Sequence, residues 1–267
     1  MKSEAVIEEA GKQFFVDEAS IVRTIWGKAD TVLFIFAGSA AEFALNKAVD
    51  WLYFTGKLPS DPLGRLFSTV AYAREIVFAK REAALKAIDK ITAIHVGIET
   101  QRGAAIPDWA YRDVLFMLID YSISSYEVLE RKLLPNEKED VFNVFYRIGK
   151  RMGLQGLPLS YNEWLMMRRE HLEQNLVAGN YTKDLFKQYR KHLGVLRYAI
   201  LIEVQKLIIP NKVKTLLDFR NVKFILPVLI TYKFSRMLKL DWFLKSLLLP
   251  KKYKQQVKAL DKMNKPS

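Results

Sequence analysis

The sequence predicts an all-α protein, and three observations support this fold class. Apolar residues recur every three or four positions along most of the chain, which is the period of an amphipathic helix. Residues that begin and end helices stand at the edges of these stretches. The best strand candidate, FILPVLITY, contains Pro227, which cannot donate a hydrogen bond to a neighbouring strand. We expect about seven to nine helices.

The helix signals in the first half of the chain begin with Asp61, a predicted N-cap. Pro62 follows at the first helical position, where a missing N–H leaves no helix hydrogen bond unmade. Residues 81–98, REAALKAIDKITAIHVGI, have the pattern of an amphipathic helix. A further helix is predicted to start at Pro135 and to end at Gly153.

The second half of the chain carries the same kinds of signal. Residues 160–163, SYNE, form a predicted capping box at the start of a helix. Gly179 is predicted to close that helix, and Thr182 to cap a long helix that ends before Pro210.

We predict one helical domain, residues 1–205, with a basic C-terminal helical extension, residues 206–267, packed on it. Half of the residues are apolar, which is enough for a sizeable core. Residues 205–267 contain fifteen Lys and Arg against three Asp, a net charge of +12 in a chain whose net charge is +13. Such a region attracts anionic lipid or nucleic acid through its general field.

The C-terminal region is amphipathic as well as basic. Residues 233–258 mix aromatic and aliphatic side chains with Lys and Arg, which allows two interpretations. The segment either lies on an anionic membrane surface or docks on the core with a solvated basic face. Nucleic-acid binding ranks last, because no zinc knuckle, RNP-like strand or recognition-helix pattern accompanies the charge.

Composition and motifs exclude several classes of protein. The chain has no Cys, which rules out disulfides, thiolate metal sites and covalent haem attachment. It also has no P-loop, nucleophile elbow or HExxH motif. Residues 1–15 lack the apolar core of a signal peptide, and charges interrupt every long apolar stretch. We therefore expect a cytoplasmic protein that does not span a membrane, with peripheral attachment as an open alternative.

His95 is the histidine that the pattern places on an apolar face. Leu85, Ile88, Thr92 and His95 are spaced by three, four and three residues, so they share one stripe of a helix. A buried imidazole needs a hydrogen-bond partner or a metal, because an unsatisfied one costs about 1–3 kcal/mol. Taken alone, the pattern favours a carbonyl or an acidic side chain as the partner and leaves iron ligation as the alternative.

The remaining histidines are predicted to face water. Residues 168–173, RREHLE, place His171 between acidic residues that could bind a metal, but the two arginines indicate a solvated helix face. His192 also lies among basic residues.

Arg65, Ser68 and Thr69 lie at positions i, i+3 and i+4, on one face of the helix that begins at Asp61. A guanidinium there could bind a carboxylate such as a haem propionate or polarise bound dioxygen, and the hydroxyls could hydrogen-bond a distal ligand. The alternative is structural: Arg65 pairs with Asp61, and the hydroxyls bond their own helix.

Here the sequence resembles a known family. DPLGRLFST (residues 61–69) and IHVGI (94–98), with the ordered segments 20–43 and 119–164, are similar to the haem b oxygenases that include rubber oxygenase (latex clearing protein), the mycophenolic-acid pathway oxygenase and a bacterial branch of undefined activity. The resemblance implies a globin-like all-α domain that binds haem b. It also implies that His95 is the proximal iron ligand and that Arg65 and Thr69 lie on the distal side.

The chain departs from the family pattern at several positions. Ser68 stands where rubber oxygenase has a distal Lys. Asn46-Lys47 replaces a frequent His-Pro, and Asp113-Val114-Leu115 aligns with a Trp-Val-His stretch. Thr100 occupies the place of a Gly. No catalytic acid aligns clearly, and Asp50 is a candidate base by position alone.

The resemblance implies oxidative cleavage of an alkene in a hydrophobic, isoprenoid-like substrate, with Arg65 and Thr69 as catalytic residues and with His95, Arg65, Ser68 and Thr69 around the cofactor. The alternative is a cofactor-free helical protein on the same scaffold that binds a lipid or a partner protein. A third hypothesis is a peripheral membrane or nucleic-acid module that works through its basic end.

Overall fold

The structure is a computed structural model that describes residues 14–56 and 60–219. These residues form ten α-helices and no β-strand, which confirms the predicted all-α class. The helices are α1 (Ile21–Gly27), α2 (Ala29–Phe43), α3 (Val49–Phe54), α4 (Pro62–Phe78), α5 (Arg81–Arg102), α6 (Asp108–Leu129), α7 (Pro135–Arg151), α8 (Tyr161–Gln174), α9 (Asn180–Ile208) and α10 (Asn211–Leu216). The two six-residue helices, α3 and α10, were not predicted.

Three predicted helix starts are confirmed. The Asp61 carboxylate accepts a hydrogen bond from the Gly64 N–H (3.0 Å), with Pro62 at the first position of α4. Pro135 begins α7. The Ser160 hydroxyl accepts a hydrogen bond from the Glu163 N–H (3.2 Å) at the start of α8.

The predicted boundary between α8 and α9 is wrong by several residues. α8 ends at Gln174, and Gly179 is the N-cap of α9 instead of the end of α8. Thr182 lies inside the first turn of α9, where its hydroxyl accepts from the Gly179 N–H (3.0 Å) and donates to the Ala44 carbonyl (2.7 Å).

The α8–α9 connection follows an extended path because it pairs with the connection after α2. The Lys47 N–H donates to the Asn175 carbonyl (2.9 Å), and the Val177 N–H donates to the Leu45 carbonyl (2.7 Å). The Asn175 carbonyl and the Val177 N–H are therefore already hydrogen-bonded to the other connection, so they are not available to continue α8.

The centre of the fold is the contact between α2 and α6, which is the most extensive helix pair. α2 is buried over most of its circumference, and the core that contains it also holds the large buried side chains of Trp26, Tyr121 and Trp164. Each such side chain contributes roughly 1.5–3 kcal/mol by leaving water. Gly38 lets the two helices approach closely, because a Cβ there would collide with the Tyr121 ring.

The predicted division into residues 1–205 and 206–267 stays a prediction. α9 continues through Ile208, and Ile209 and Val213 are buried in the same core as the preceding helices. The strand candidate and the basic amphipathic segment 233–258 lie outside the described residues. Among the described helices, none is long and apolar enough to cross a membrane.

Gly38→Ala tests the close approach of α2 and α6. We expect it to lower the free energy of unfolding by about 1–3 kcal/mol, because the added methyl group must displace the Tyr121 ring. Urea denaturation monitored by circular dichroism measures the change.

Gly97→Ala in α5 is the matched control, because its Cβ would meet nothing within 4 Å. Removing backbone freedom there should raise the free energy of unfolding by about 0.5–1 kcal/mol. Equal effects of the two substitutions would contradict the packing argument.

Candidate functional site

α5 presents His95 at the edge of the core. Ile88, two turns earlier on the same stripe, is fully buried, while His95 keeps a partly exposed ring. The Nδ1 atom of His95 is nevertheless buried and has no hydrogen-bond partner among the described residues. The inward orientation predicted for His95 is therefore confirmed, but the expected carbonyl or carboxylate partner is absent from the part of the chain that the structure describes.

The surroundings of His95 favour the neutral imidazole. Burial lowers the pKa of His95, and the positive charge of Arg65 lowers it further, while Glu99 acts in the opposite direction. A neutral ring has a lone pair on one nitrogen, which is the form that binds a metal.

Arg65 reaches this region from α4, which packs along α5. Its guanidinium makes no ion pair with any described residue, so the predicted pair with Asp61 does not form. One reason is that the Asp61 carboxylate caps the helix at Gly64. Burial lowers the pKa of Arg65, yet a guanidinium stays protonated at neutral pH. The site therefore contains a permanent cation beside a neutral imidazole.

Ser68 and Thr69 are bonded to their own helix. Both hydroxyls donate to the Arg65 carbonyl, at 2.7 Å and 3.1 Å respectively. This confirms the structural alternative for the two hydroxyls, although each oxygen keeps lone pairs that can accept a further hydrogen bond. Ser68 is exposed and Thr69 is partly buried.

A cavity of about 150 Å³ lies beside His95. It is bounded by α5, by the start of α6 and by residues 152–154 after α7. Tyr111 forms one wall, with its ring centroid 5.1 Å from that of His95 in an edge-on arrangement. The Glu99 carboxylate accepts hydrogen bonds from the Tyr111 hydroxyl (3.1 Å) and the Ile106 N–H (2.8 Å), which holds this wall in place.

Asp50, the candidate base by position, is engaged in an ion pair. Its carboxylate lies 2.5 Å from Nη2 of Arg102, and that guanidinium stacks over the Trp51 ring at 3.9 Å. The pair joins α3 to the end of α5. A role for Asp50 as a base stays a prediction.

A second polar group, which we call the buried charge cluster, consists of Glu42, Asp113, Asp120, Arg168 and His171. Arg168 contacts both oxygens of Glu42, at 2.5 Å and 2.6 Å, and also lies 2.9 Å from Asp120. His171 lies between two carboxylates, with Nε2 2.8 Å from Glu42 and Nδ1 2.5 Å from Asp113. The ring N–H groups do not align well with these oxygens, so the contacts are ion pairs rather than linear hydrogen bonds.

The prediction that residues 168–173 form a solvated face is wrong for Arg168 and His171. Both are buried, at 3% exposure, on the stripe that also contains Trp164. Trp164, Arg168 and His171 are spaced by four and three residues, which is the spacing of one buried helix face. The charges of Arg168 and its neighbours concealed this signal. Their carboxylate partners come from α2 and α6, far away in the chain.

Opposite charges set the protonation states of the cluster. Burial acts to raise the pKa of Glu42, but the charge and hydrogen bonds of Arg168, together with the nearby His171, lower it to about 2. Burial acts to lower the pKa of His171, but Asp113 and Glu42 raise it above its usual value. Glu42 is therefore ionised at neutral pH, and its charge and that of Asp113 favour the protonated form of His171.

A comparison with protein families finds a match that includes both the His95 region and the buried charge cluster. A family model described as "ER-bound oxygenase mpaB/B'/Rubber oxygenase, catalytic domain" matches residues 26–242, which is most of the chain. The chain belongs to this family. No curated protein and no solved structure matches the chain, so the globin-like description of the fold stays a prediction.

The described helices from α2 to α10 lie within the region that matches this oxygenase catalytic domain. The Asn46 amide donates to the Asp113 carboxylate (3.0 Å) beside His171. Asn175 donates to the same carboxylate (2.9 Å). The two amides of Asn46 and Asn175 thus complete the Asp113 end of the buried charge cluster.

The residues around His95 meet the chemical requirement for haem but enclose only a small space. One protein imidazole is enough to hold a haem iron, and the buried Nδ1 of His95 has no hydrogen-bond partner among the described residues, in a setting that favours the neutral ring. No cluster of three or more metal-binding side chains occurs among the described residues, and haem does not require one. The cavity of about 150 Å³ is below the roughly 300–1,000 Å³ of pockets that enclose small molecules, so this cavity alone does not enclose a porphyrin.

The buried charge cluster predicts a pH-dependent stability. Because the folded-state pKa of His171 is raised, its contribution is complete below the unfolded pKa of ~6.5 and is lost as the pH rises through the folded pKa. Glu42 has the opposite dependence, and its contribution disappears as the pH falls from 4.5 towards 2.

His171→Gln should therefore lower the free energy of unfolding by about 3–5 kcal/mol at pH 6. The difference from the wild type should shrink at alkaline pH, as measured by urea denaturation over a pH series. His192→Gln is the control and should change the free energy by less than ~0.5 kcal/mol. A pH-independent effect of His171→Gln would contradict the protonated state.

Proposed function

We propose that the protein is a haem b-dependent oxygenase that oxidises or cleaves an alkene in a hydrophobic, isoprenoid-like substrate. The observation that supports haem binding most directly is the His95 imidazole, whose lowered pKa favours the neutral form and whose Nδ1 has no hydrogen-bond partner among residues 14–56 and 60–219, close to Arg65, which has no ion pair within the same residues. The membership of the oxygenase family supports the reaction class. The name "Rubber oxygenase" in the family description supports an apolar alkene as the substrate class.

In this proposal His95 is the iron ligand and therefore the metal-binding residue. Haem, when bound, supplies the iron that activates dioxygen. Arg65 provides a fixed positive charge that can bind a propionate carboxylate or stabilise negative charge that develops during the reaction. Thr69 keeps an acceptor lone pair and holds the first turn of α4 through the Arg65 carbonyl. Ser68 lies at the exposed margin of the same face.

Apolar side chains near His95 suit a hydrophobic substrate. Ile94 and Val96 flank the histidine in α5 and are 40% and 53% exposed. An apolar substrate or a porphyrin edge that covers them removes this surface from water, at about 25 cal/mol per Å². Cleavage of the alkene converts a carbon–carbon double bond and dioxygen into a pair of carbonyl groups.

A second candidate function is a cofactor-free helical protein that binds a lipid or a partner protein. The small volume of the cavity beside His95 favours it, because about 150 Å³ holds a short acyl or side-chain group but not a porphyrin.

A hemin titration separates the two candidates. We expect the wild type to develop a Soret band with saturable binding and His95→Ala to lose it, because the iron loses its protein ligand. His192→Ala is the control and should bind hemin like the wild type, since His192 lies on α9 away from the cavity lining. A flat spectrum for wild-type protein would favour the cofactor-free candidate.

Arg65→Gln tests the role of the guanidinium. We expect it to weaken hemin binding about 10- to 100-fold, as is typical for residues that support a metal centre. The Soret band itself should remain, because His95 is intact. Unchanged affinity would show that Arg65 does not contact the cofactor.

A further inference from the structure

The outward face of α9 carries exposed cations that have no acidic partner within the described part of the chain. Lys183, Lys187 and Lys191 are spaced by four residues and lie in one row, with Arg190 beside the last of them. All four side chains are exposed. None of them forms an ion pair with another described residue.

The acidic residues of α9 do not neutralise this row. Asp184 accepts a hydrogen bond from the Tyr53 hydroxyl (2.9 Å) and so faces α3. Glu203 lies near the other end of the helix and pairs with Lys206 (2.6 Å). The exposed row is therefore positive throughout.

The same helix exposes two aliphatic side chains immediately after the row. Gly194 has φ +74° and ψ 171°, a conformation that requires glycine and interrupts the helical geometry. Leu193 before it is buried, at 9% exposure, whereas Val195 and Leu196 after it are 70% and 67% exposed. The break thus turns two aliphatic side chains outward, next to the cations.

We propose that this face of α9 binds an anionic membrane surface, with Val195 and Leu196 inserted among the lipids. The cations at Lys183, Lys187, Arg190 and Lys191 contact the head groups. The proposal goes beyond the oxygenase function and does not depend on haem. It uses residues of α9 alone and none of residues 233–258, which lie outside the described residues.

The small size of the apolar patch favours a membrane over a protein partner. Stable protein interfaces bury about 800 Å² on each side, and two aliphatic side chains are a small part of that. A membrane needs less, because a few inserted apolar groups add to the attraction between each Lys or Arg and an anionic leaflet. Nucleic acid would use the cations but leave the aliphatic side chains in water.

The charge test uses full-length protein and vesicles of phosphatidylcholine with or without phosphatidylserine. Wild-type protein should sediment with the anionic vesicles only, and less so at high salt. The double variant Lys187→Gln/Lys191→Gln should weaken binding on the order of 20-fold, at about fivefold for each cation. The control Lys150→Gln/Arg169→Gln removes the same charge from exposed positions on α7 and α8 and should have little effect.

The insertion test exploits the absence of Cys in the chain. Leu196→Cys, labelled with an environment-sensitive fluorophore, should shift to the blue on adding anionic vesicles. The control Leu159→Cys, at a position that is 78% exposed before α8, should not shift.

Four outcomes would overturn the proposal. The first is no binding to anionic vesicles. The second is binding that the α9 double variant does not weaken, which would transfer the role to another basic part of the chain. The third is a label at position 196 that is already shielded without vesicles, which would mean that another segment or a second copy covers the face. The fourth is displacement of the protein from vesicles by RNA with no blue shift at position 196, which would identify a polyanion site.

Discussion

The carboxylate of Glu42 is fully buried between the helices. The fold depends on the side chains that pair with this negative charge. Transferring a carboxylate from water to such a place costs several kcal/mol, which only close and complete pairing offsets. Arg168 supplies two contacts, His171 a third and the Tyr121 hydroxyl a fourth, at 2.6 Å. These partners belong to α6 and α8, so the charge fixes both helices relative to α2. Gly38, one turn before Glu42, lets the Tyr121 ring come close enough to reach it.

The same constraint extends to the wall of the His95 site. Asp113 in α6 is held by His171 and by the amides of Asn46 and Asn175. Tyr111 lies two residues earlier in the same helix and contacts the His95 ring edge-on. Any shift of α6 that relieved the charge cluster would therefore move this wall. Asn46 and Asp113 thus bear on the candidate site through α6, the helix that they anchor.

The helix starts were predictable because each depends on neighbouring residues, as the Asp61 carboxylate bonded to the Gly64 N–H shows. The stripe that contains His95 was predictable for the same reason. The buried charge cluster was not, because Glu42 and Arg168 are 126 residues apart and no local pattern pairs them. The boundary after α8 also depended on hydrogen bonds to a distant connection. Local chemistry therefore predicted the helices, and the assembly of their polar faces required the structure.

Arg65 and Arg168 show what distinguishes a structural arginine from a candidate binding group. Arg168 is buried, and carboxylates from two other helices surround its guanidinium, so its charge serves the fold. Arg65 is partly buried without an ion pair among the described residues, so the folded protein carries the cost of its desolvation without compensation. An anion that binds beside Arg65 would gain a favourable Coulomb interaction, because no described carboxylate already makes one. Burial lowers the pKa of His95, and the charge of Arg65 lowers it further, so the guanidinium that could attract an anion also favours the imidazole form with a free lone pair.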